Sequence, residues 1–223
     1  MLEAIAWISI VTAIICALWI GVDTLRHSQP MAVMNVVWPV SALYLNALAL
    51  WAYYRVGRPA ATPAHQGPDH DRANPPTGWQ VAVATSHCGA GCMLADVVCG
   101  FAIAAAGITL FGSSLLAEYA VDLVAAWALG IVFQYFAIQP MRHLPVGEAL
   151  WIAIKADTLS IAAFQLGMYA WMAITLFLLF PHPHLTAFEP QYWLMMQIAM
   201  ICGYAASFPV NRWVIHAGIK EAM

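Results

Sequence analysis

The chain has 223 residues, 63% of them hydrophobic and 9% charged, with a formal net charge of −3. Soluble domains carry about a quarter charged residues, so this composition excludes a solvated globular surface. Apolar runs of roughly 20 residues, enough to cross a bilayer, account for most of the length and leave little room for a separate catalytic domain. No basic run marks a nucleic-acid partner, and no glycine-rich loop marks a nucleotide.

The first apolar run, Ala4 to Val22, follows Glu3 and lacks both a basic start and an A-x-A cleavage site, which reads as a retained helix rather than a signal peptide. The second, Ala32 to about Tyr54, contains Pro39, expected to bend it, and ends in Trp51, Tyr53 and Tyr54, an interfacial aromatic group. From Arg55 to Ser86 the composition turns hydrophilic and proline-rich, with His65, Asp69, His70 and Asp71 and no periodicity. This divides the chain into an N-terminal helix pair (1–54), a linker (55–86) and a four-helix unit (87–223). The four helices are expected at about Gly89–Phe111, Tyr119–Met141, Asp157–Phe180 and Tyr192–Ile215, with a short amphipathic stretch from Val146 to Lys155 before the third.

These elements make an all-α, polytopic membrane bundle of about six spans in contact with the lipid bilayer. Six spans put Arg55, Arg58, Arg72, Arg142, Lys155, Arg212 and Lys220 on one side and Arg26 alone on the other. Because cytoplasmic loops are enriched in Lys and Arg, both termini and the linker are expected in the cytoplasm.

The most chemically informative segment is His87-Cys88-Gly89-Ala90-Gly91-Cys92. Cys88, Cys92, Asp96 and Cys99 follow at helical spacing on one face. Thiolates and imidazole suit Cu(I) or Zn(II), and a carboxylate completes either set, so His87, Cys88, Cys92 and Asp96 are a candidate metal site at the start of a helix, with Gly89 and Gly91 letting that start bend. Five cysteines, an odd number, argue against a disulfide scaffold. Met168 and Met172, and Met196 and Met200, are four apart on successive helices and form a candidate soft-metal relay, although methionine is also a routine core filler. Charged and amide side chains within apolar runs are costly and face the interior, so Asp96, Gln134, Lys155, Asp157 and Gln197 are expected to point inward, with Asp96 and Lys155 as a pair.

Several of these segments together resemble a bacterial membrane family catalogued as domain of unknown function 4396. They are Thr85 to Cys92, Phe133 to Met141, Lys155 to Ser160, Met195 to Met200, and Asn211 to Met223 with its Gly218-Ile219-Lys220-Glu221. The similarity covers about 85–223 and implies a helical membrane unit with a His-Cys motif, without supplying a reaction.

The leading expectation is a protein that binds, transfers or transports Cu(I), with Zn(II) as second choice and a metal chaperone or a second copy as partner. The alternatives are a membrane oxidoreductase using thiols, haem or quinone, and a structural subunit of a larger complex. No C-x-x-C-H haem attachment motif is present.

Overall fold

The computed structural model describes residues 1–58, 77–111, 114–142, 145–182 and 184–220, without the side chains of 114–115 and 139–142. The described residues form α1 (Leu2–Arg26), α2 (Met34–Leu45), α3 (Ala47–Ala52, prolonged by a π turn to Gly57), α4 (Gly78–Ala106), α5 (Ser114–Arg142), α6 (Val146–Ile174, prolonged by a π turn to Leu179) and α7 (Pro190–His216). Five regions, in α1 and in α4 to α7, are long and apolar enough to cross a membrane. Exposed Trp7, Ile8, Leu18, Trp19, Val98, Leu166 and Leu178 cover their outer faces, as lipid rather than water requires. The chain is a multi-pass membrane protein.

The expected second span is not a span. Trp38 of α2 stacks edge-on with Tyr53 at 5.6 Å, and Gly57 lies against the same indole. A continuous helix would hold residues 38 and 57 nearly 30 Å apart, from a rise of about 1.5 Å per residue. The reversal falls at Asn46, whose φ of 52° lies in the left-handed region that asparagine tolerates; Pro39, the expected bend, stays inside α2. The pair α2–α3 therefore enters and leaves at the same end of the bundle. Arg58 confirms this by bonding Asp23, near the end of α1, at 3.0 and 3.1 Å, while Tyr53 donates to the same carboxylate at 2.7 Å. At the hairpin tip, Gln197 donates to the Leu43 carbonyl at 2.8 Å and accepts from Ser9 at 2.6 Å. Broken backbone at this depth is tolerated because α1 and α7 bury it.

Among the described residues, five helices rather than six are long and apolar enough to cross a membrane. Arg26, Arg55, Arg58, Arg142, Lys155, Arg212 and Lys220 all fall in one half of the bundle, and no described Lys or Arg lies in the other.

Two boundaries also differ from expectation. Helix α4 begins eleven residues before Gly89, because Thr77 and Gln80 form a reciprocal capping box: Gln80 N–H donates to the Thr77 hydroxyl at 3.3 Å, and Thr77 N–H to Gln80 Oε1 at 2.8 Å. The expected linker thus ends at Thr77, and its His65, Asp69, His70 and Asp71 lie outside the described residues. The amphipathic stretch from Val146 to Lys155 is the first part of α6 itself.

Helix α4 is the central element, with 61% of its most apolar stretch buried against 22% for α1. Gly91 and Gly130 bring α4 and α5 together: a Cβ on Gly91 would meet the Gly130 backbone at 3.2 Å. Gly89 packs against Tyr44 and Phe164. The two glycines serve helix packing within α4, not a flexible start.

Candidate functional site

The His-Cys segment lies within α4, three turns from its beginning, and is fully buried. The structure gives its polar side chains different neighbours. His87 packs edge-on against Phe133 at 5.8 Å, with the Phe133 backbone as a near polar neighbour, and neither ring nitrogen reaches hydrogen-bond geometry. Cys88 and Cys92 are free thiols. Among the described residues, no group of three or more His, Cys, Asp or Glu side chains is arranged to hold a metal ion. The four methionines Met168, Met172, Met196 and Met200 are buried in the main apolar core.

Cys88 instead belongs to a cluster built by three helices and the segment after α7. Lys220 Nζ donates to Asp157 Oδ1 at 2.6 Å and to Asn211 Oδ1 at 3.1 Å, and lies 3.3 Å from Cys88 Sγ. Ser160 donates to Asn211 Oδ1 at 3.1 Å; Asn211 Nδ2 donates to Ser207 Oγ at 2.9 Å; and Ser207 donates to the Ser160 carbonyl at 2.9 Å. The turn that returns Lys220 to the bundle depends on Gly218, whose φ of 68° suits glycine, with Ile219 N–H closing on the Val214 carbonyl at 3.1 Å. Burial works against the Lys220 ammonium, but Asp157 and then Cys88 more than offset it and hold its pKa above the ordinary lysine value. One carboxylate and one ammonium make this cluster self-neutral.

The expected pairing of Asp96 with Lys155 does not occur. Lys155 is exposed, because its position on α6 faces away from the bundle, while Asp157 two residues later is fully buried. Asp96 meets Asp122 of α5, with the carboxyl groups in hydrogen-bond contact. Asp122 Oδ2 accepts from Gln165 Nε2 at 3.0 Å and lies 3.0 Å from the Tyr169 hydroxyl. That hydroxyl is also 2.9 Å from the Tyr119 carbonyl, and the two tyrosine rings stack at 4.1 Å. One turn before Asp122, half-buried Glu118 accepts from Tyr192. Composition and spacing singled out Asp96 but left Glu118 unassigned; the signal was its i, i+4 spacing from Asp122 on a face that only packing reveals.

Cys88, Cys92 and Asp96 share one face of α4, so the clusters are steps on one line, about 12 Å apart at 1.5 Å per residue. Buried Cys92 lies between them, in the fields of both Asp96 and Asp157. Gln134 is also buried, with neither end of its amide hydrogen-bonded, and Gln197 belongs to the hairpin tip. Two apolar grooves of about 250 and 390 Å³ open on the outer surface, and neither is lined by a residue of the two clusters. Cys88, Cys92, Asp96, Asp122 and Asp157 are all buried, so the polar line is enclosed.

Residues 78–220 match a family described as domain of unknown function (DUF4396). The matched segment holds α4 to α7 and every residue of both clusters, and leaves out α1 and the α2–α3 hairpin. No curated protein and no solved structure matches the chain.

Proposed function

This chain belongs to the DUF4396 family, and from its own buried residues we propose that it is a transport protein of the bacterial inner membrane that moves a small cation, a proton first, along the polar face of α4. One observation carries the reading: a line of buried ionisable groups, Lys220–Asp157–Cys88 and then Asp96–Asp122, follows the central helix. Ionisable groups at membrane depth are costly, and where they occur they mark ion paths and proton relays. A hydrogen bond between two carboxyl groups needs a proton on one of them, so the Asp96–Asp122 pair is a natural proton holder. Glu118, closer to the opposite end of the bundle, gives the next carboxyl step outward. The concentration of Lys and Arg in one half of the bundle supports an orientation with that half, and the chain after α7, on the cytoplasmic side and Met1 on the other.

Purified protein in vesicles loaded with a pH-sensitive dye tests this under an imposed potassium diffusion potential. Protein-dependent proton flux is expected, with Asp122→Asn and Asp157→Asn lowering it at least about tenfold. Glu148→Gln, at an exposed position early in α6, should leave it unchanged. Flux equal to that of empty vesicles would reject the reading.

A second reading, Cu(I) handling through His87, Cys88, Cys92 and Asp96 with Met168, Met172, Met196 and Met200 as later ligands, draws support from two free buried thiols one turn apart and an imidazole without hydrogen bonds. Zn(II) is its second choice, since it wants a fourth ligand. Lys220 beside Cys88 weighs against it, because an incoming cation would meet a fixed ammonium. Titration of reduced protein with Cu(I) against a competing chelator is expected to give tight binding that Cys88→Ser, Cys92→Ser abolishes. Equal binding by parent and variant would end this reading.

A further inference from the structure

The two clusters differ in charge balance. The one around Asp157 contains its own cation, Lys220. The one around Asp122 holds three carboxyl groups, from Asp96, Glu118 and Asp122, and no described Lys, Arg or His contributes to their electrostatic surroundings. It is also short of donors. Apart from the proton the two carboxyl groups share, Asp96 Oδ2 and Asp122 Oδ1 meet no donor, and Gln165 Oε1 is a buried acceptor with no hydrogen-bond partner. Gln165 is 2% exposed, and its amide nitrogen already donates to Asp122, which keeps the unpartnered amide oxygen within one amide group of that carboxylate. Tyr169 offers a single proton to two acceptors, Asp122 Oδ2 and the Tyr119 carbonyl. Unpaired buried acceptors are costly, and a bound cation satisfies several at once.

We infer that Asp96, Asp122 and Gln165 form a binding site for a small, hard, monovalent cation, with Na⁺ as the ion, taken up when the proton shared by the two carboxyl groups leaves. All the available ligand atoms are oxygens, which select hard ions over Cu(I) or Zn(II). Ca²⁺ takes roughly six to eight oxygens and Mg²⁺ retains several waters, more than two carboxylates and one amide supply in an enclosed interior. The titratable groups around the site are Glu118, Tyr119, Tyr169, Tyr192, Cys92 and Cys99, none of them cationic. The inference deepens the cation-transport reading and rests on it for its meaning, though binding is measured separately from flux.

The test follows thermal unfolding of the full chain by tryptophan fluorescence, in NaCl and in choline chloride at equal ionic strength, between pH 6 and 8.5. NaCl is expected to raise the unfolding temperature at pH 8.5. The half-effective concentration should rise up to about tenfold for each unit fall in pH, as one proton competes with one Na⁺. Asp122→Asn and Gln165→Leu should each lose the response. Identical unfolding of the parent in the two salts would overturn the site without reference to any variant. So would a full response in folded Gln165→Leu, or stabilisation by CaCl₂ at concentrations far below those of NaCl. If Na⁺ binds but vesicles conduct no cation, the transport reading falls and the site stands; if protons flow and Na⁺ does not bind, the site falls and the reading stands.

Discussion

Lys220→Met is expected to destabilise the protein by about 3–5 kcal/mol, the usual cost of stranding one member of a buried ion pair. Both side chains of the Asp157–Lys220 pair are fully enclosed. Asp157 is held in α6, three turns from its beginning, and has no route to water. Removing the ammonium leaves Asp157 with Cys88 as its remaining described donor, at 3.6 Å, and strips Asn211 Oδ1 of one of its two donors. Asp157→Asn should cost less, because Lys220 lies beyond the Gly218 turn and can swing out to solvent, whereas the aspartate cannot. The double variant Asp157→Asn, Lys220→Met should recover much of the loss, since the two changes act on one contact. Thermal unfolding in detergent measures all three. Equal losses in both single variants and their sum in the double would show that the pair is not coupled as described.

The second large effect lies where α6 crosses α7. A Cβ on Gly167 would lie 2.8 Å from the Cys202 carbonyl and 3.0 Å from Gly203 Cα; a Cβ on Gly203 would lie 2.7 Å from the Phe164 carbonyl. These obstacles are backbone, so no side chain can rotate aside. Helices in lipid gain their packing from such close approach, because burial of apolar surface offers little there. Gly167→Ala is expected to cost about 1–3 kcal/mol, the range for overpacking, and Gly167→Leu to prevent recovery of folded protein. Forcing these helices apart also pulls Ser160 from Ser207 and Asn211, which links the packing defect to the Asp157 cluster. Gly147→Ala, in the first turn of α6 with nothing within 4 Å, is the control and should be neutral or slightly stabilising. Size-exclusion profiles and unfolding temperatures report both. A stable, monodisperse Gly167→Leu variant would contradict the geometry.

Some of this was determined by the sequence alone. A chain with 9% charged residues and five long apolar runs has no solvent but lipid, so the all-α membrane class follows from composition. The burial of Asp96, Asp157, Gln134 and Gln197 follows from the cost of leaving such groups in hydrocarbon, and i, i+4 spacing correctly put Cys88, Cys92 and Asp96 on one helical face. The capping signal Thr77-x-x-Gln80 was also legible, but the prolines before it hid it within an apparent linker.

Partners were not legible, because pairing depends on how helices rotate and cross. Lys155 and Lys220 look equally able to neutralise an intramembrane aspartate. Packing turned the first outward, and the Gly218 turn drove the second inward. Gln165 and Glu118 gained meaning only when α5 and α6 brought them around Asp122. The hairpin at Asn46 is the clearest case: 23 apolar residues are long enough to cross a membrane, and their hydropathy is the same whether they cross or fold back. Only the contacts of Trp38 with Tyr53 and of Asp23 with Arg58 decide it, because a reversal of direction is fixed by long-range packing rather than by the polarity that sequence records.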